Sequence, residues 1–153
     1  LGKLAKYLRI LGFDTYFREP IDDANLLKTA ASDGRFLLTR DSRLGAKSHP
    51  FGMMLLTDDE PLAQLARIVA GLDLKIDTAG FFTRCSRCNE PTRPVDKAAA
   101  ANRAFPYILK TQDIISECPS CRRLYWKGTH YKRLLDELRT AISDENIKGQ
   151  WPE

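Results

Sequence analysis

No apolar run in the sequence approaches the roughly 20 residues that a membrane-spanning helix requires. No hydrophobic leader precedes a small-residue cleavage site either, so the chain reads as a cytoplasmic protein that neither enters a membrane nor is secreted. Histidine is scarce, with only His49 and His130 among 153 residues. No Ser-His-Asp or Cys-His arrangement is visible, which removes the usual covalent nucleophiles from consideration. There is no internal repeat and no low-complexity tract. Charge of one sign is also in short supply. The formal net charge is +4, a basic surplus that permits contact with nucleic acid without demanding it.

What is present is a 43% hydrophobic chain, enough for one modest core and a small satellite. It begins at Leu1, without methionine, and goes directly into an amphipathic pattern, which reads as a piece of a longer protein. Residues 1–12 place Leu1, Leu4, Ala5, Leu8 and Leu11 on one helical face, with Gly12 as the stop. FDTYF reads as a short strand. In DDANLLKTAASDG, Asp22 or Asp23 suits the N-cap and Gly34 the end of a helix. RFLLT and MMLLT read as apolar strands joined by the polar loop SRLGAKSHPFG, and EPLAQLARIVAGL is a helix with proline in its first turn. Helices alternating with wholly apolar strands predict a parallel sheet covered on both faces over residues 1–80. Residues 81–142 change character, becoming short pieces rich in Cys, Pro and Arg, with helices at DKAAAANR and THYKRLLDELRTAI. Residues 143–153 read as a frayed polar tail.

The strongest motif is a pair of Cys-x-x-Cys units, Cys85/Cys88 and Cys118/Cys121. Their spacing is that of a zinc ribbon, in which each pair occupies a tight knuckle. Four thiolates close a tetrahedral shell, so the ion is structural and leaves His130 no place as a further ligand. Two disulfides or four unconnected thiols are the alternatives, disfavoured by the intracellular reading. His49, in a Ser-His-Pro loop, reads as a solvent-exposed histidine.

Carboxylates form the second constellation. Asp41 follows the first apolar strand, and Asp58 and Asp59 follow the second. Ligands of open parallel sheets bind beyond the carboxyl ends of the strands, and Asp23, opening the intervening helix, belongs to the same edge. Clustered carboxylates suit Mg²⁺ or Mn²⁺, hard ions that polarise a phosphodiester and activate water. The competing readings are an N-cap for Asp22 or Asp23 and a helix-dipole role for Asp58 and Asp59. Lys3, Lys6 and Arg9 line the first helix and Arg40 and Arg43 flank Asp41, as either a phosphate path or solvated faces. Arg84, Arg87, Arg93, Arg122, Arg123 and Lys127, interleaved with Tyr125, Trp126 and Tyr131, suit stacking on unpaired bases or packing of a small ribbon.

The blocks LGKLAKYLRILGFDT, DDANLLKTAA, RFLLTRD, FTRCSRCN, RPVDK and ECPSCRRLYWKGTHYKRL, in this order, resemble the Mut-seven C-terminal RNase family, PIN-like nucleases fused to a zinc ribbon. The resemblance extends to about residue 140. It implies a PIN-like three-layer α/β/α domain with a short parallel sheet, a C-terminal zinc ribbon and terminal helix, and Mg²⁺- or Mn²⁺-dependent hydrolysis of RNA. It also implies that Asp23 and Asp41 hold the catalytic metal, that Thr39 accompanies Asp41, and that Asp58 or Asp59 assists. Lys3, Arg9, Thr39, Arg40, Arg43 and Lys127 are then the candidates for contact with RNA. The family pattern has a first strand ending in an aspartate ahead of the Leu-Gly that opens this chain. A chain without that strand is expected to hold the metal poorly. A non-catalytic RNA- or protein-binding module built on the same scaffold is the competing reading, and a purely structural adaptor a third.

Overall fold

A computed structural model describes residues 1–45 and 48–152. Ala46 and Lys47, in the loop expected between the apolar strands, and Glu153, in the expected tail, lie outside the described residues. The first helix, α1 (Gly2–Ile10), buries Leu4, Tyr7 and Leu8. Gly12 follows it with φ of +95°, and a Cβ there would lie 2.6 Å from the Gly80 carbonyl oxygen, so the position admits no other residue. FDTYF, expected as a strand, is an extended loop. Its backbone is spoken for by side chains: the Thr15 amide donates to Asn89 Oδ1, and the Thr15 carbonyl accepts from Arg9 Nε, both at 2.9 Å. A ladder would need those same groups.

Helix α2 (Asp23–Ser32) begins at Asp22, whose carboxylate accepts from the Asn25 amide at 2.9 Å. Then come β1 (Leu37–Thr39), a short helical turn α3 (Ser42–Gly45), β2 (Met53–Leu55) and α4 (Pro61–Gly71). The turn α3 falls in the stretch expected as loop. Asp41 accounts for it, since its Oδ1 accepts from the Arg43 amide at 2.8 Å. Next are β3 (Ile76–Asp77), β4 (Arg93–Pro94), α5 (Lys97–Ala100), α6 (Pro106–Thr111), β5 (Ser116–Glu117), β6 (Leu124–Tyr125), α7 (Thr129–Arg139) and β7 (Ile147–Lys148).

Strands β1 and β2 pair in parallel, Leu37 with Met53 and Thr39 with Leu55. The ribbon strands form an antiparallel sheet in the order β4-β5-β6, with Pro94 on an edge strand where its missing donor is tolerated. Strands β3 and β7 form a second parallel pair. The residues after Ser143, expected as a frayed tail, are therefore tied down. They make a 3₁₀ turn and β7, and Trp151 packs edge-on against Phe81 with centroids 5.5 Å apart.

The main core joins the two ends of the chain. Leu4, Tyr7 and Leu8 of α1 pack with Leu65, Ile68 and Val69 of α4 and Tyr131, Leu135 and Leu138 of α7. Each fully buried Leu or Ile contributes about 1.5–3 kcal/mol relative to exposure. Helix α7, expected to travel with the ribbon, thus belongs to the core that contains α1. Smaller clusters lie under α2 (Ala30, Leu37, Leu44) and inside the ribbon (Ala100, Ala104, Ile115). An apolar cleft of about 630 Å³ runs between α1, α2 and β1, with Leu4, Leu8, Leu26, Leu37 and Ile68 among its walls. No helix among the described residues is long and apolar enough to cross a membrane.

Candidate metal centre and acidic edge

The four cysteines converge. Their sulfurs all lie within 4.8 Å of one another, and they are the only group of three or more potential metal ligands among the described residues. Cys88 Sγ is 3.3 Å from Cys85 Sγ and 3.4 Å from Cys118 Sγ, and Cys85 Sγ is 3.6 Å from Cys121 Sγ. A disulfide would bring sulfurs to about 2.0 Å, and all four cysteines are free. Four sulfurs about 2.3 Å from a tetrahedral zinc would stand about 3.8 Å apart. The donor set and its spacing therefore fit a metal such as zinc, and they dispose of the disulfide alternative.

Each Cys-x-x-Cys is built on the same backbone turn. In the first, the Cys85 amide donates to the Glu90 carbonyl (2.8 Å), and the Cys85 carbonyl accepts from the Asn89 amide (2.9 Å). In the second, Cys118 does the same with Arg123 (2.9 Å) and Arg122 (3.0 Å). The fifth residue of each turn is left-handed, Asn89 at φ 72° and Arg122 at φ 63°. Asparagine tolerates that region better than most side chains. The Cys88 and Cys121 amides point at Cys85 and Cys118 sulfur, each at 3.5 Å. Burial pushes the Cys85 thiol up, but the Tyr125 hydroxyl, 3.0 Å away, and the Cys88 and Arg87 amides outweigh it and bring the thiol down to about 6. Burial and the neighbouring cysteine sulfurs push Cys88 up to about 12.

The parallel register of β1 and β2 sends Asp41, Asp58 and Asp59 out at the same edge. The Asp41 amide donates to Thr39 Oγ1 at 3.0 Å, and Thr39 is itself buried. The Arg43 side chain, with the Arg43 and Leu44 amides, holds the Asp41 carboxyl below the usual carboxylate range. Asp23, free of capping because Asp22 does that work, stands near enough to Arg43 to help keep it charged. Arg43 pairs with Asp41 at 3.3 Å, and Asp23 acts on it only through its charge. The other two acids are engaged separately: Asp59 pairs with Arg40, and Asp58 with Arg67, which lowers the Asp58 carboxyl. Among the described residues no three of these carboxylates meet.

The basic and aromatic candidates divide. Lys3 lies over the Tyr7 ring at 5.7 Å and Lys127 over Tyr131 at 5.6 Å, and both lysines stay exposed. Arg9 is not part of an open phosphate path. It is 5% exposed, and its guanidinium is held by main-chain carbonyls because its helix face turns toward the first knuckle. Tyr125 binds Cys85, and Tyr131 is buried against Phe82 with centroids 4.2 Å apart, so these two aromatics pack. Phe105 and Tyr107, 76% and 71% exposed, are the outward-facing aromatics of the ribbon. Reading the sequence passed over them because the Ala-rich run before Phe105 drew attention only to helix propensity. His49 is half-buried, and its Nδ1 accepts from the Phe51 amide at 3.4 Å, against the expectation of an exposed ring.

No curated protein and no solved structure matches the chain. A family model does, that of the Mut7-C RNAse domain, over residues 1–138, a span that takes in α1, the acidic edge and both knuckles. The chain belongs to the Mut7-C RNAse domain family.

Proposed function

We propose that the chain is a cytoplasmic, divalent-metal-dependent ribonuclease domain of PIN-like three-layer organisation over residues 1–80, with α7 packed into its core, and that the zinc ribbon within residues 81–142 aids in holding RNA. The observation that carries this reading is the family match across residues 1–138, a family named for RNase activity. The parallel edge that delivers Asp41, Asp58 and Asp59 to one side supports it. In the ribbon, zinc is structural, since four thiolates leave it no open position.

Asp23 and Asp41 would hold Mg²⁺ or Mn²⁺, with Asp58 or Asp59 assisting. When bound, such an ion polarises a phosphodiester and makes water a better nucleophile. The fit is partial, because the carboxylates stand as two groups, Asp23 and Asp41 around Arg43 and the other two on Arg40 and Arg67. The residues of the chain have definite tasks in this reading. Thr39 fixes the turn that presents Asp41. Arg43 offsets the mutual repulsion of Asp23 and Asp41 while the edge is empty of phosphate, and with Arg40 it can pass its charge to a backbone phosphate. Lys3 and Lys127 extend the cationic surface. Phe105 and Tyr107 offer faces for unpaired bases.

A second reading has its own observation. Asp41, Asp58 and Asp59 are each paired with an arginine, as in a scaffold that binds RNA or protein without cutting. Cleavage of single-stranded RNA by the protein, with Mn²⁺ or Mg²⁺, separates the two. Asp41→Asn should drop cleavage to the metal-free background while RNA affinity stays within a few-fold. Loss of neither, or no cleavage by the parent when its zinc is present, would favour the scaffold.

A further inference from the structure

Among the described residues two charged side chains are buried, and their surroundings differ. Glu117, 3% exposed, has Arg103 at 3.1 Å and Arg122 on its other oxygen. Arg9, 5% exposed, has no carboxylate within ion-pair distance among the described residues. Its partners are three neutral carbonyls: Thr15 at 2.9 Å from Nε, and Ser86 and Arg87 at 3.2 and 2.7 Å from Nη1. A buried guanidinium cannot shed its proton, so burying it without a counter-charge would cost several kcal/mol. Ser86 and Arg87 are the two residues between Cys85 and Cys88. The cation therefore rests on the back of the first knuckle, beside sulfurs that become thiolates when a metal binds. Four thiolates around a divalent ion form a dianion, and no lysine or arginine other than Arg9 is buried in the described residues.

We propose that Arg9 is the buried counter-charge of the metal centre and positions its first knuckle, so that one of the two negative charges of the occupied cysteine site is offset from the helix that opens the chain. Neighbouring contacts reinforce the joint. Arg84 Nε donates to the Gly12 carbonyl at 3.3 Å, and Asn89 donates to Asp14 and accepts from the Thr15 amide. The Phe82 amide donates to the Ile10 carbonyl at 2.8 Å. Metal binding thereby stiffens residues 13–15, which wall the apolar cleft, through hydrogen bonds that begin at the knuckle. The inference rests on the cysteines holding a metal and is independent of whether the chain cleaves RNA.

The test is competition for Zn²⁺ between the full chain and a chromophoric chelator, paired with the thiolate-to-metal absorption of the Co²⁺ form. Three variants are compared with the parent: Arg9→Gln, Arg9→Lys and the remote core change Leu138→Ala. Arg9→Gln should weaken metal affinity about 10- to 100-fold and shift the Co²⁺ absorption. Arg9→Lys, which keeps charge but loses the fork, should recover most of the affinity. Leu138→Ala should lower the melting temperature without moving either metal readout. Arg9→Gln binding as tightly as the parent overturns the proposal, as does Leu138→Ala weakening the metal equally. If Arg9→Gln does not fold with metal present, Arg9→Lys decides. A parent-like Co²⁺ spectrum then supports the proposal, and affinity lost with an unchanged melting temperature overturns it. A parent that takes up neither ion overturns the metal reading and this inference together.

Discussion

At the scale of single residues, the arginines do more than the total charge suggests. Arg35 bridges Asp14 and Asp33, at 3.0 and 3.2 Å, and Asp14 also accepts from Asn89. The Arg35 side chain, then the Asn89 amide, holds the Asp14 carboxyl below its ordinary value. A carboxyl lowered on folding stabilises the protein above its unfolded value of about 3.9, and that contribution disappears as pH falls through the lower folded value. Stability should therefore decline below about pH 4, and Asp14→Asn should flatten that decline while leaving neutral-pH stability within about 1 kcal/mol, because the pair is largely exposed. Urea denaturation of both proteins between pH 2 and 7 measures this. Residue type and spacing were enough to mark the four cysteines as one cluster, which the structure brings together. They could not reveal Arg9. On a helical wheel Arg9 groups with Lys3 and Lys6, and only the return of the chain at Ser86 and Arg87 turns that face from solvent to interior.

At the scale of elements, the helices were readable because each carries its own apolar period, and α1, α2, α4 and α7 stand where that period ends. The strands were harder. FDTYF has the composition of a strand and no ladder, since pairing is decided by distant partners. Conversely, β7 is a polar-flanked Ile-Lys pair that nothing local marks, and it exists because β3 offers a parallel edge. The acidic edge was half legible. Strand order could be guessed from alternation, but not the arginines that claim Asp58 and Asp59. The ribbon supplies this scale's prediction. Its own cluster has three buried residues, Ala100, Ala104 and Ile115, with Val95, Ile108, Leu109 and Leu124 only partly buried against them, a small core for holding β4, β5 and β6 together without the metal. Chelation should abolish amide protection at Cys85, Cys118 and Arg122, while the amides of Leu8, Leu65 and Leu138 keep theirs. Hydrogen exchange before and after chelator reads both, and uniform loss would show the ribbon and core to be a single cooperative unit.

At the scale of the whole molecule, the ends of the chain share one interior. The Tyr7 hydroxyl donates to Glu137 Oε2 at 3.0 Å, across 130 positions of sequence. Ending the chain at Gly128 would strip Tyr131, Leu135, Leu138 and Ile142 from the main core and remove the partner of β3. Since losing one buried Leu commonly costs about 2–5 kcal/mol, the shortened protein should show no cooperative melting even with zinc present. A retained transition would mean that residues 1–128 hold a self-sufficient core. The sequence suggested a nuclease unit complete by residue 80, and amphipathicity could not correct it. The pattern of α7 says that it has a buried face, not whose face it meets.

That meeting of first and last helices also sets a timetable. A ribosome releases α1 and α4 well before α7, so α1 can close on α4 early, while the part of the core that α7 completes waits through the synthesis of the knuckles and the ribbon. The carbonyls of Ser86 and Arg87 that hold Arg9 are made within that interval, ahead of the second Cys-x-x-Cys. The opening helix is therefore left with one side covered by α4 and another side open until the last helix is made.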